Sequence, residues 1–124
     1  MFELSKQFRF DAAHTLERSI QTESSRRIHG HSYRAEVAVR GRPDPITGMI
    51  VDLGVLEASM EEARDALDHR FLDEINDLGP ATMENLSRWI WDRLLPVVPN
   101  LFKVSVHRDS SGETCCYWGE DVSA

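Results

Sequence analysis

The feature that most constrains the fold is an alternation of apolar and polar residues at the start of the chain. From Phe2 to Ala13 the even positions are apolar and the odd positions are mostly polar, with Lys6 as the one exception among the even positions. A β-strand sends successive side chains to opposite faces, so this pattern predicts a strand with one buried face. The pattern returns over residues 31–41 and 102–107. The sequence therefore predicts an antiparallel sheet that is covered on one side.

Two other segments follow the period of a helix. Between Leu53 and Leu67 the apolar residues recur three or four positions apart, and Asp52 is placed to cap the helix. A second helical pattern follows Pro80, with Thr82 as its cap, and the next proline ends it near residue 95. Both patterns predict amphipathic helices.

The turns complete the order of elements. "GRPDPITG" predicts a long turn, "MIVD" a short return strand, and "TCCYW" a last strand after the polar turn "DSSGE". We expect an α+β fold of order β-β-α-α-β-β, with an antiparallel sheet and two helices on one of its faces. At 124 residues, the chain is predicted to form one domain over residues 1–124.

Composition excludes several classes of function. The net charge of −7 disfavours binding to nucleic acid, which usually requires a basic face. No apolar run approaches the roughly 20 residues that span a bilayer, and the N-terminus lacks the layout of a signal peptide. We therefore expect no membrane partner and a cytoplasmic location. Cys115 and Cys116 are adjacent, which does not suit a C-x-x-C redox or metal pair.

Three histidines form a candidate metal site. His29 and His31 are two residues apart in "HGHSY", and residues at this spacing in a strand point to the same side. His14 shares the parity of the apolar face of the first strand, so a neighbouring strand could bring it beside them. Three histidines with an open fourth position describe a catalytic zinc site. The alternative is that these histidines are ordinary polar residues at the end of a strand.

Four motifs carry a family resemblance. "FDAAH", "HGHSY", "LDHRFL" and "TMENLSRWIW" occur in this order across nearly the whole chain. Together they resemble the family of 6-pyruvoyltetrahydropterin and 6-carboxytetrahydropterin synthases. The resemblance implies a T-fold whose subunits form barrel-like oligomers, here a homo-hexamer with active sites between subunits. It also implies a zinc-dependent lyase acting on a small-molecule pterin, 7,8-dihydroneopterin triphosphate, and in the carboxy enzymes a place in queuosine biosynthesis.

The resemblance also implies roles for individual residues. The zinc ligands of the family match His14, His29 and His31. Its catalytic histidine and aspartate match His69 and Asp68 in "LDHRFL". Relatives anchor the pterin ring with a glutamate, and this chain has Asp109 there by ungapped register, a carboxylate with a shorter reach. A further substrate contact of the family corresponds to Thr82.

The chain departs from the family at the catalytic base. Relatives carry a cysteine four or six residues before the first histidine of HGH, where this chain has Ser25 and Glu23. A serine hydroxyl ionises far less readily than a thiol and is a poor general base, whereas a desolvated glutamate could replace the thiolate. Two hypotheses follow: a zinc-dependent lyase with an unusual base, or a pterin-binding paralogue that does not perform the usual triphosphate elimination.

Overall fold

A computed structural model describes residues 1–120 of the chain; residues 121–124 of the expected domain lie outside it. The elements in chain order are β1 (Phe2–His14), α1 (Thr22–Arg26), β2 (His29–Gly41), α2 (Leu53–Leu67), β3 (Arg70–Phe71), a 3-10 turn (Leu72–Glu74), α3 (Met83–Leu94), β4 (Leu101–Arg108) and β5 (Glu113–Tyr117). The mixed α+β class predicted from the sequence is confirmed.

The sheet is built around the pairing of the two longest strands. Its order is β3-β1-β2-β4-β5, and β1 runs antiparallel to β2 over the full thirteen residues of each strand, from Phe2 opposite Gly41 to His14 opposite His29. The predicted alternation is confirmed, because buried and exposed residues follow one another along both strands. Lys6, the exception in the pattern, lies on the inner face and forms an ion pair of 2.9 Å with Glu57 of α2.

The two predicted helices cover the inner face of the sheet. Asp52 caps α2 by accepting a hydrogen bond from the backbone N–H of Gly54, and Thr82 caps α3 by accepting one from Asn85. The apolar faces of both helices pack on the sheet in one core. None of the helices within residues 1–120 is long and apolar enough to cross a membrane. The largest fully buried apolar side chains of the core are Phe10, Tyr33, Leu56, Leu67, Leu72, Leu86, Ile90 and Leu94.

One predicted element is wrong, and three short ones were not predicted. The segment "MIVD" is an irregular stretch rather than a strand. The side-chain amide of Asn100 donates hydrogen bonds to the carbonyl oxygens of Ile50 and Arg40, and so satisfies this backbone without a partner strand. The elements missed are α1, β3 and the 3-10 turn, which at five, two and three residues are too short to show a period.

Burial in α2 generates a matched stability test. Leu56 is 0% exposed and Leu53, in the same helix, is 48% exposed. Leu56→Ala is expected to lower the free energy of unfolding by about 2–5 kcal/mol, because the truncation leaves a cavity. Leu53→Ala is expected to lower it by about 1 kcal/mol or less. Urea unfolding followed by circular dichroism measures both, and equal losses would contradict this description of the core.

Candidate metal centre and active site

The three predicted histidines meet at one end of the β1–β2 pair. His14 lies directly opposite His29, and His31 lies two residues further along β2, on the same inner face. The Nε2 atoms of His14 and His29 are 2.9 Å apart, and those of His14 and His31 are 3.1 Å apart. Strand pairing thus brings His14 of β1 beside His29 and His31 of β2, although His14 is distant from both in the sequence.

Two backbone carbonyls fix the protonation of these rings. His14 Nδ1 lies 2.8 Å from the carbonyl oxygen of Ala81, and His29 Nδ1 lies 2.8 Å from that of Arg27. A carbonyl oxygen only accepts hydrogen bonds, so each Nδ1 must carry the proton and each Nε2 must be a bare lone pair when the ring is neutral. Two lone pairs facing each other at 2.9 Å repel unless a cation lies between them. Carbonyl partners of this kind orient the histidines of metal sites.

The surroundings of His14 and His31 favour the neutral form of these two rings. Burial lowers the pKa of His14 below the ordinary histidine value. Burial, followed by the positive charge of Arg108, lowers the pKa of His31 to about 4. Neutral imidazole is the form that binds metals. Three nitrogens in tetrahedral zinc coordination are separated by roughly 3.3 Å, close to the distances seen here, so the residues fit zinc.

Asp68 and His69 form a second cluster at the end of α2. Asp68 Oδ2 lies 2.9 Å from His69 Nδ1 and 3.1 Å from a guanidinium nitrogen of Arg64, while Asp68 Oδ1 accepts a hydrogen bond of 2.9 Å from the backbone of Asp11. The pKa of Asp68 is lowered most by the hydrogen bond from the backbone of Asp11, and next by the contact with His69. An ionised Asp68 therefore orients His69 through Nδ1 and leaves Nε2 directed away from the pair.

The backbone of β1 also holds this pair in position. The N–H of His69 donates to the carbonyl of Asp11, and His69 has a positive φ of 58°. A left-handed conformation is uncommon for a residue that is not glycine, and such positions concentrate at functional sites. The side chain of His69 is 79% exposed, so a substrate or a second subunit can reach its ring.

One cleft is lined by residues of both clusters. A cavity of about 490 Å³ is lined by residues of β1, β2 and β3, and both His31 and His69 contribute to its wall. Asp11, Asp68 and His69 could also group around a cation. In Asp68, however, both carboxylate oxygens already have partners, so the three histidines are the better metal site.

Ser25 and Glu23 lie on different sides of α1. Ser25 is buried, and its hydroxyl lies 3.5 Å from a guanidinium nitrogen of Arg18. Its carbonyl accepts a hydrogen bond from the backbone N–H of Leu16, which ties α1 to the end of β1. Glu23 is 87% exposed and pairs with Arg27 at 3.1 Å. The structure therefore keeps Ser25 inside the fold and Glu23 in solvent.

The two residues predicted to bind substrate have other partners within the chain. Asp109 accepts two hydrogen bonds of 3.0 Å from Arg34, and this contact holds the pKa of its carboxyl below the usual range. Arg34 is on the outer face of the sheet, so Asp109 is not brought to the three histidines. Thr82 caps α3 through its hydroxyl oxygen, and its neighbour Ala81 supplies the carbonyl that holds His14.

A residue that was not singled out from the sequence does reach the histidines. A guanidinium nitrogen of Arg108, Nη1, lies 3.3 Å from His31 Nε2, and the same side chain pairs with Glu113 across the β4–β5 hairpin. The predicted strand ended at His107. Extending its alternation by one residue, from Val104 through Val106, would have placed Arg108 on the inner face.

Comparisons with known proteins agree with this fold. Residues 3–120 match the family model described as 6-pyruvoyl tetrahydropterin synthase. The human 6-pyruvoyl tetrahydrobiopterin synthase is 40% identical over 98 residues, which are 74% of this chain and 67% of the human protein. The 6-carboxy-5,6,7,8-tetrahydropterin synthase of Synechocystis is 35% identical over 112 residues, 86% of this chain and 85% of that protein.

A solved structure supports the same assignment. The 6-pyruvoyl tetrahydropterin synthase of Caenorhabditis elegans superposes with a TM-score of 0.82 at 27% identity, and the match covers 96% of each chain. The T-fold expected from the sequence is thereby confirmed. This chain belongs to the 6-pyruvoyl tetrahydropterin synthase family.

Proposed function

We propose that this protein is a zinc-dependent synthase that converts 7,8-dihydroneopterin triphosphate to a tetrahydropterin of the 6-pyruvoyl or 6-carboxy type. The observation that carries this proposal is the convergence of the Nε2 atoms of three histidines, together with the Asp68-oriented His69 in the wall of a cleft that His31 also lines. The names of the human and Synechocystis relatives support the substrate class. A 6-carboxy product would place the protein in queuosine biosynthesis.

The metal is proposed to be held by His14, His29 and His31. Zinc bound there would act as a Lewis acid on substrate oxygens and make neighbouring C–H and O–H groups more acidic. The chain's own contribution is to bring the Nε2 atoms of three imidazoles together. The carbonyls of Ala81 and Arg27 orient two of them.

Proton transfer is proposed to be the work of the Asp68–His69 pair. Elimination of triphosphate and rearrangement of the side chain both require protons to move at carbon. His69 can take or return a proton at Nε2 while Asp68 stabilises the charged ring through Nδ1. Asp68 is itself fixed by Arg64 and by the backbone of Asp11, so the ring is pre-oriented.

The proposed reaction also needs a base in addition to His69. Ser25 occupies the buried position, but its hydroxyl is a poor base without a partner that removes its proton. The contact from Arg18 would favour an oxyanion, and Glu23 could serve only by leaving Arg27 and entering the cleft. These observations favour a second candidate function, a pterin-binding paralogue that does not carry out the usual elimination.

Substrate binding is proposed to involve Asp109 and Thr82. The carboxylate of Asp109 could accept two parallel hydrogen bonds from a pterin ring if the ring replaced Arg34. Thr82 accepts from Asn85 and so retains its O–H as a donor. Because Asp109 and the histidines lie on different faces, the complete site is proposed to form between subunits of a homo-oligomer, a hexamer by the family resemblance. A cytoplasmic location is part of the same proposal.

Removal of one histidine tests the metal site. His29→Ala is expected to weaken zinc binding by at least about 100-fold, since loss of even an outer partner of a ligand costs 10–100-fold. Elemental analysis after dialysis should find about one zinc ion per wild-type chain and almost none in the variant. The matched control is His69→Ala, which removes a histidine from the other candidate cluster and should retain zinc. Zinc retained by His29→Ala and lost by His69→Ala would contradict the assignment.

A thiol placed at Ser25 tests the chemistry. Zinc-loaded wild type and the Ser25→Cys variant are incubated with dihydroneopterin triphosphate, and products are identified by mass spectrometry. The proposal predicts a tetrahydropterin product from the wild type and faster turnover by Ser25→Cys, because a thiolate is the better base. Ser24→Cys, which adds a thiol to the exposed neighbouring position, should not increase the rate.

Two other results have distinct meanings. Product from Ser25→Cys alone would support the pterin-binding paralogue and overturn the proposed synthase reaction. The absence of product from both proteins, with zinc bound, would exclude dihydroneopterin triphosphate as the substrate.

A further inference from the structure

Arg108 places a full positive charge against the metal-facing side of the histidine cluster. Its Nη1 donates toward His31 Nε2 at 3.3 Å, and its Nη2 pairs with Glu113, which lies opposite it in the β4–β5 register. The Arg108 side chain is 21% exposed, and its Nε is buried without a hydrogen-bond partner among residues 1–120. The guanidinium is therefore held in the site rather than free in solvent.

This contact conflicts with a metal that has only neutral ligands. His31 Nε2 has one lone pair, and a bound metal would take the lone pair that now accepts from Arg108 Nη1. A partly buried guanidinium donor would then lack an acceptor, which is unfavourable. The divalent ion and the guanidinium of Arg108 would also repel each other. Together they carry three positive charges, and the carboxylate of Glu113 neutralises only one of them.

A negatively charged oxygen bound to the metal beside His31 would remove both penalties. It would complete the coordination of the ion, and it would accept the hydrogen bond that Arg108 Nη1 had given to His31. We propose that Arg108 is a specificity-determining residue that selects ligands carrying an anionic oxygen, of a carboxylate or a phosphate, to the metal. This inference rests on the metal site of the proposed function and specifies the kind of substrate group that the site accepts.

The surroundings of Arg108 support a recognition role. Guanidinium groups bind carboxylate and phosphate oxygens with directed, charge-assisted hydrogen bonds. Glu113 fixes one nitrogen of the group and is itself held by a hydrogen bond of 2.9 Å from the Ser111 hydroxyl. Glu113 thus positions Arg108 while Nη1 remains directed into the cluster.

Cobalt can test this inference without any turnover. Co²⁺ is loaded into the wild-type protein, and its visible absorption bands report ligands that enter the coordination sphere. Acetate and inorganic phosphate are titrated in separate arms to distinguish the two sources of anionic oxygen, and imidazole serves as a neutral ligand. The variants are Arg108→Gln and, as the matched control, Arg34→Gln, which removes an ion-paired arginine from the outer face of the same sheet.

The expected result is selective. Arg108→Gln should weaken binding of acetate, phosphate or both by at least about tenfold, the loss of one charge-assisted hydrogen bond. Its imidazole affinity should stay within about twofold of wild type, Arg34→Gln should bind all three ligands like wild type, and Arg108→Gln should bind Co²⁺ at least as tightly as wild type.

Other results would overturn the inference. Equal anion affinities in wild type and Arg108→Gln would show that Arg108 takes no part in anion recognition. The metal site would be unaffected by that result. Weaker Co²⁺ binding by Arg108→Gln would show that Arg108 organises the histidines instead of opposing the ion. Failure of the wild-type protein to bind Co²⁺ would refute the metal site of the proposed function, and with it this inference.

Discussion

The thirteen-residue antiparallel pairing of β1 with β2 is the constraint on which the rest of the structure depends. It carries the buried face on which α2 and α3 pack, and its register puts His14 opposite His29. A slip of one residue would turn the side chains of one strand to the other face. The apolar face of the sheet and the histidine cluster would be lost together, so core burial specifies the geometry of the site.

Backbone groups hold residues at both ends of the site. Carbonyls of Ala81 and Arg27 orient two histidines, and the N–H and carbonyl of Asp11 hold Asp68 and His69. Backbone groups in a sheet or beside a helix cap move little. The imidazoles of His14, His29 and His69 are thus held in fixed orientations, as the proposed metal binding and proton transfer would require.

The local charges divide the cleft into regions of different character. Near the histidines, burial and Arg108 favour neutral imidazoles and anionic ligands. Near His69, the carboxylate of Asp68 accepts from Nδ1 and orients the ring. A substrate that presents an anionic oxygen to the first region and a C–H or O–H proton to the second would match both. This division is consistent with a reaction in which one end of a side chain is held and the other exchanges protons.

The sequence predicts most of this fold and part of the site, for identifiable physical reasons. Long strands and amphipathic helices have periods that extend over enough residues to be recognised, and the parity of His14, His29 and His31 follows from those strands. The short α1 and β3 have no period to detect. They depend on tertiary hydrogen bonds such as that from Leu16 to Ser25.

The remaining site residues depend on contacts across the sheet. Arg108 meets His31 because two strands separated widely in sequence lie side by side. Asp109, one residue later, turns to the opposite face and pairs with Arg34. Neighbours in the sequence thus have different environments, which a residue-by-residue family resemblance does not reveal.

The most direct test of the central claim is an anomalous difference map from crystals of the zinc-loaded protein, recorded at the zinc absorption edge. The account predicts one strong peak bound by the Nε2 atoms of His14, His29 and His31 at about 2.0–2.1 Å. A peak among Asp11, Asp68 and His69 instead, or no peak at the three histidines, would contradict it.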